Sequence, residues 1–166
     1  MNSTSPAFTK ELDLSTPTDT TIVLTRSFDA PRRLVWEAMF TPDKMRRWML
    51  PPPGWTMTTC KCDARVGGAL EIAWKSEDAD PAMTLRGVFT EVVQHERMVH
   101  TETMALGSGQ VIGSLVEKHE FFEDDGVTTM RITQTYATKE GRDGAIASGM
   151  DEGMEACYKH LDSLLG

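Results

Sequence analysis

Two histidines and two glutamates sit where alternation along neighbouring strands would bring them together. In the stretch Arg97 to Met104, a period of two puts Met98, His100, Glu102 and Met104 on one face. In Ser114 to Phe122 the same period groups Leu115, Glu117, His119 and Phe121. A turn near Gly109 sets His100 opposite His119 and Glu102 opposite Glu117. Gln134 joins from a third strand, where Met130, Ile132 and Tyr136 share its face. Two carboxylates directly opposite repel. Inside a cavity, at least one must therefore take up a proton, a histidine hydrogen bond or a cation.

Three readings of this cluster follow. The first is a different register, or a satisfied polar network that only wets the interior. The second is a patch that orients a ligand, or a general acid and base for a cyclase- or hydrolase-like reaction. The third is a His/Glu metal site, for which the residue types suit zinc but the spacing matches no known signature. Cys60 and Cys62 share a strand face, and without a second pair they read as small buried hydrophobes. Of Trp36, Trp48, Trp55 and Trp74, at most two are expected to border a cavity. No serine nucleophile motif, phosphate-cradling glycine loop or dinucleotide fingerprint occurs, so no cofactor is expected.

The elements that must position these groups begin with the last stretch, Lys139 to Leu165. At about 100° per residue, Ile146, Met150, Met154, Cys157, Leu161 and Leu164 fall in one sector, opposite Asp151, Glu155, Lys159 and Asp162. Unbroken, that helix is ~40 Å long. Gly141, Gly144, Gly149 and Gly153 work against it, since glycine inside a helix costs roughly 0.5–1 kcal/mol against alanine. Gly149, Gly153, Ala156 and His160 form a second stripe beside the apolar sector. Either the helix breaks near Ser148-Gly149, or the missing side chains leave a void against the sheet.

The rest of the chain supplies the surface under that helix. Residues Met1 to Asp19, rich in Ser, Thr and Pro, read as a mobile tail, with the folded domain spanning 20–166. Ile22, Leu24, Arg26 and Phe28 alternate with Thr21, Val23, Thr25 and Ser27 in a first strand. Pro31 and Pro42 open two short helices, and Pro51-Pro52-Pro53-Gly54 stops the second. Strands are expected over Met57 to Ala64, Ala69 to Lys75, Met83 to Val93, Arg97 to Met104, Ser114 to Phe122 and Val127 to Tyr136. A polar loop spans Ser76 to Pro81, and Asp124-Asp125-Gly126 marks a hairpin. This order describes an α+β domain, a curved antiparallel sheet wrapped round a long C-terminal helix.

Composition narrows the partners. A chain of 166 residues with a formal charge of −8 suits one domain and argues against a nucleic-acid or anionic-membrane surface. No apolar run approaches the roughly 18–20 residues that span a bilayer. Three cysteines and no N-terminal apolar run fit a cytoplasmic protein with free thiols.

A set of motifs in fixed order adds a family resemblance. Phe28-Asp29-Ala30-Pro31, Val35-Trp36-Glu37-Ala38, Thr41-Pro42, Trp48 and Pro53-Gly54-Trp55 come first. Asp63 to Gly68, Arg86-Gly87-Val88-Phe89, Thr101-Glu102 and Ser148 to Met154 follow. Together they resemble the activator of heat-shock-protein-90 ATPase homologue family of the START-like (SRPBCC) superfamily, over nearly everything after residue 20. The resemblance implies the helix-grip fold, with a cavity between sheet and C-terminal helix, and puts the His/Glu face on the concave side. The superfamily includes lipid carriers, cyclases and a resistance protein, so the fold leaves the function open.

The expectation is a protein that holds a small, largely apolar ligand. Met150, Gly153, Met154 and Cys157 would form the helix wall, and Trp74, Met98, Phe121, Met130 and Ile132 the sheet wall. His100, Glu102, Glu117, His119 and Gln134 would orient the ligand. No catalytic residue or metal is assigned. The alternatives are a stress-related interaction module that regulates a chaperone through its outer face, and an enzyme using a His/Glu pair.

Overall fold

Period-two alternation from Thr21 onward builds strands, and prolines and glycines divide them. The computed structural model describes residues 5–77 and 82–165. Its strands are β1 (Asp13–Ser15), β2 (Thr21–Phe28), β3 (Trp55–Cys62) and β4 (Ala69–Ser76), then β5 (Met83–Val93), β6 (Arg97–Leu106), β7 (Val111–Asp124) and β8 (Val127–Tyr136). All pair antiparallel in one eight-stranded sheet, in the order β1-β2-β8-β7-β6-β5-β4-β3. Register shifts at Met57/Thr59, Phe89/Glu91 and Met104/Ala105 interrupt the ladders. Such irregularities bend and twist strands, which suits a sheet that curves.

Two short helices, α1 (Arg32–Phe40) and α2 (Pro42–Trp48), cover one end of the sheet. Pro31 at φ −64° leads into α1, and Pro42 occupies the first turn of α2, where a missing N–H costs nothing. The indole N–H of Trp48 donates to the Ala38 carbonyl at 2.7 Å, which ties α2 back on α1. Trp36 and Phe40 meet Phe121 edge-on, at 5.3 and 6.1 Å between ring centres.

The C-terminal segment is two helices, α3 (Lys139–Ala147) and α4 (Met150–Leu165). Gly149 sits at φ +78°, a left-handed conformation that ends a helix, and its N–H reaches the Ile146 carbonyl at 3.1 Å. The break falls at Ser148-Gly149, so α4 alone crosses the sheet, with a length of about 24 Å. Tyr158 and Leu161 point inward, whereas Leu164 is exposed.

Glu155 and Asp162, expected on the solvent face of α4, instead hold the guanidinium of Arg26, which is 2% exposed. Arg26 occupies an inward position between Leu24 and Phe28, and a charge buried there needs partners. The stretch read as a tail also contributes structure. Asp13–Ser15 pairs with Val23–Thr25, and the Leu12 N–H donates to Glu155 at 2.7 Å. This strand has too few apolar residues to announce itself, because its stability comes from a neighbouring edge. The first four residues of the expected tail, and residues 78–81 of the expected loop, lie outside the described residues.

Candidate functional site

Cross-strand registers arrange the inner sheet face in rows. Glu102, Leu115 and Tyr136 form one row; His100, Glu117, Gln134 and Ile22 form the next. Met98, His119, Ile132 and Leu24 follow, and then Phe121, Met130 and Arg26. His100 therefore faces Glu117 rather than His119, and Glu102 faces Leu115. The β6–β7 turn is centred one residue earlier than expected, with Gly109 N–H on the Leu106 carbonyl at 2.8 Å. A one-residue shift of the turn moves the pairing by two, so the partners change and the face does not.

A pocket of about 430 Å³ lies between this face and α4. Its helix wall is Met150, Gly153, Met154, Cys157 and Tyr158, and its sheet wall includes Leu70, Ile72, Trp74, Leu85 and Met104. Met39, Phe40, Met45, Trp48 and the segment Met49-Leu50-Pro51-Pro52 close the α1–α2 side. His100, Glu102, Glu117, His119 and Gln134 supply the polar lining. Ten of the expected site residues thus line the pocket: Trp74, His100, Glu102, Glu117, His119, Gln134, Met150, Gly153, Met154 and Cys157.

Met98, Phe121, Met130 and Ile132 do not line it. They are buried in the core one or two rows further along, where Trp36 and Phe40 of α1 reach the sheet at Phe121. Alternation told which face they share and not which part of that face a helix covers. Leu70, Ile72, Leu85 and the α2 residues went unassigned, although Leu70, Ile72 and Trp74 alternate visibly on one strand. Trp48 and Trp74 are the tryptophans that border the pocket. Of the glycine stripe, only Gly153 reaches it; Gly149 serves the helix break.

The polar groups form a chain. Tyr136 donates its hydroxyl to the Gln134 carbonyl oxygen at 3.0 Å, and the Gln134 amide reaches Glu117 Oε2 at 3.5 Å. His119 Nε2 lies 3.4 Å from Glu117 Oε1. His100 Nδ1 lies 3.2 Å from the Thr101 carbonyl and 3.8 Å from Glu102 Oε1. A carbonyl only accepts, so Nδ1 carries a proton towards Thr101 and Nε2 is the nitrogen turned away from that bond. The two imidazoles stack with 5.6 Å between centres.

Burial, reinforced by the neighbouring Glu117, pushes the Glu102 carboxyl well above the usual range, which favours its protonated form. Burial also works to raise Glu117, but His119, His100 and hydrogen bonds from Glu102 and Gln134 hold it below its ordinary value. Burial pushes His119 down to about 4 against the pull of Glu117, and His100 adds to the depression. His119 is thus neutral at pH 7, and hydrogen bonds from Glu102 and Gln134 sustain the Glu117 charge. Among the described residues, His119 Nδ1 is the buried side-chain nitrogen without a partner.

The site can hydrogen-bond a polar group from both sides, with Glu102 as acid and Glu117 as acceptor. His100, Glu117 and His119 can also present one ligand atom each within 4.8 Å of one another. Cys60 and Cys62 carry free thiols away from this pocket, and burial pushes Cys62 up to about 12. No helix among the described residues is long and apolar enough to cross a membrane.

A long antiparallel sheet with two early helices and a C-terminal helix laid across its inner face defines a START-like domain. The chain belongs to the Activator of Hsp90 ATPase homolog 1-like protein family, which it matches over residues 29–166. Among solved structures, a Rhodobacter sphaeroides protein is 26% identical, with a TM-score of 0.83 over 93% of this chain and 97% of its own. A Mycobacterium smegmatis protein is 23% identical, with a TM-score of 0.79 over 93% and 96% of the two chains. A Nitrosomonas europaea protein is 21% identical, with a TM-score of 0.75 over 90% and 96%. The latter two likenesses speak for the fold alone. No curated protein matches the chain.

Proposed function

We propose that the pocket binds a small molecule with a largely apolar body and one polar end. The observation that carries this reading is an inward-facing His/Glu/Gln cluster beneath walls that are otherwise largely apolar, with methionine, leucine and tryptophan prominent among them. Its volume, about 430 Å³, falls within the span of small-ligand sites. Burying two carboxyls and two imidazoles costs stability unless they are paired, and a ligand's polar end gives them a use. Glu102 would donate to that end and Glu117 accept from it, while Met150, Met154 and Cys157 cover its body.

Gly153 provides the test. A Cβ built there meets nothing within 4 Å, so a larger side chain can enter the pocket without displacing the fold. Wild-type protein should bind the uncharged dye Nile red saturably. Gly153→Leu should weaken that binding at least about tenfold, roughly 1.4 kcal/mol, with an unchanged circular dichroism spectrum. Equal uptake by both proteins would sink the placement of the ligand.

A further inference from the structure

We propose that His100, Glu117 and His119 bind one divalent cation of the zinc class at the polar end of the pocket. The ligand set is two imidazoles and a carboxylate, a combination that suits zinc better than the hard cations magnesium and calcium. Its geometry comes from the sheet. His100 and Glu117 are directly paired across β6 and β7, and His119 is two residues along the same strand, so all three project from one face.

The distances fit. Zinc bonds of about 2.0–2.1 Å in a tetrahedron set neighbouring ligand atoms about 3.4 Å apart. His119 Nε2 and Glu117 Oε1 are separated by 3.4 Å, long for a charge-assisted hydrogen bond and equal to that edge. The three residues' ligand atoms all lie within 4.8 Å of one another, so side-chain rotations that close separations by up to about 1.4 Å complete the triangle.

Outer contacts already hold two of the ligands in position. The Nδ1–H of His100 donates to the Thr101 carbonyl, which leaves its Nε2 lone pair for the cation. Gln134, itself anchored by the Tyr136 hydroxyl, approaches Glu117 at Oε2 and leaves Oε1 beside His119. His119 is less well served by the protein. One of its nitrogens has no partner and the other has only the 3.4 Å contact, although the residue is 93% buried by its 7% exposure. A cation at Nε2 exchanges that long contact for a ligand bond and fixes the ring proton on Nδ1. Three protein ligands leave the fourth position for a donor atom from the pocket.

The experiment uses the full chain, freed of metal by dialysis against a chelator. Cobalt(II), as a spectroscopic stand-in, and zinc, in competition with a chromophoric chelator, are titrated into wild-type protein. One equivalent should bind, with the visible absorption of four-coordinate cobalt. Glu117→Gln keeps the side chain's shape and should retain the wild-type circular dichroism spectrum. It and His119→Gln should each weaken zinc binding by more than about 100-fold, beyond the loss of an outer-shell contact. The double variant Cys60→Ser/Cys62→Ser should bind as wild type does. Absence of stoichiometric binding, survival of binding in folded Glu117→Gln, or loss of binding in the thiol variant would each overturn the assignment. Nile red uptake by the metal-free protein is read separately, so failure of the cation site leaves the pocket reading to stand or fall alone.

Discussion

Replacing Arg26 with methionine tests how α4 is held on the sheet. The guanidinium lies 2.9 Å from Glu155 Oε1 and 2.9 Å from Asp162 Oδ2, and its Nε and Nη1 add bonds of 3.1 and 3.0 Å. It also sits 4.9 Å above the Phe28 ring. Removing one partner of a buried pair costs about 3–5 kcal/mol, chiefly from the charge left behind. Here the abandoned carboxylates are 17% and 44% exposed and can rehydrate, so the expected loss falls to about 2–3 kcal/mol. For a domain of this size that lowers Tm by about 4–12 °C.

The pH dependence separates this ion pair from simple packing. Burial resists the Glu155 charge, but Arg26 and the Leu12 N–H hold its pKa below the ordinary value. A depressed carboxylate pKa adds stability that is complete above the unfolded value, about 4.3, and is lost as the pH falls through the folded one. The Tm difference between wild type and Arg26→Met should be constant from about pH 6 to 8 and narrow below about pH 4. Thermal melts followed by circular dichroism at each pH measure it. A neutral-pH loss under about 1 kcal/mol, or a gap indifferent to acid, would refute the reasoning. Arg26→Lys should recover only part of the loss, since an ammonium cannot bridge two carboxylates with a planar fork.

Three further outcomes concern stability alone. In urea unfolding, Gly153→Ala should stabilise by about 0.5–1 kcal/mol, because its Cβ meets open space in a helix. Gly87→Ala should destabilise by at least about 3 kcal/mol, because its Cβ would fall 1.8 Å from the Thr101 carbonyl oxygen; similar values for the two would contradict the backbone approach of β5 and β6. Trp48→Phe removes the indole N–H bonded to Ala38 and should cost about 1–3 kcal/mol, whereas a cost under about 0.5 kcal/mol would show that α2 is held by other contacts.

Local pattern carried most of the fold. Alternation marked β2 and β4 to β8 closely, and proline placed the starts of both short helices. What local pattern could not carry was any quantity set between elements. The partner of His100 depended on a single residue in the β6–β7 turn. The place of Met98 and Phe121 depended on where α1 lies across the sheet, which nothing in their own strands records. Arg26 is the instructive case. Its inward phase was visible in Ile22-x-Leu24-x-Arg26-x-Phe28, and that phase alone called for buried acids. The acids stood on the helix face that the wheel assigned to water, because a helical wheel separates apolar from polar and does not distinguish a solvated carboxylate from a paired one.

The strand order has a consequence for how the protein is made. β2 lies beside β8 and not beside β3, and Arg26 meets Glu155 and Asp162 across 129 and 136 residues of sequence. During synthesis the early strand emerges with no inner neighbour, and its arginine stays hydrated until α4 is translated. The hairpins from β3 to β7 are local and can assemble as they appear, while closure on β2 waits for β8 and α4. A ribosome that stops anywhere short of α4 therefore releases a chain with an open apolar sheet face, the state that chaperones and proteases detect.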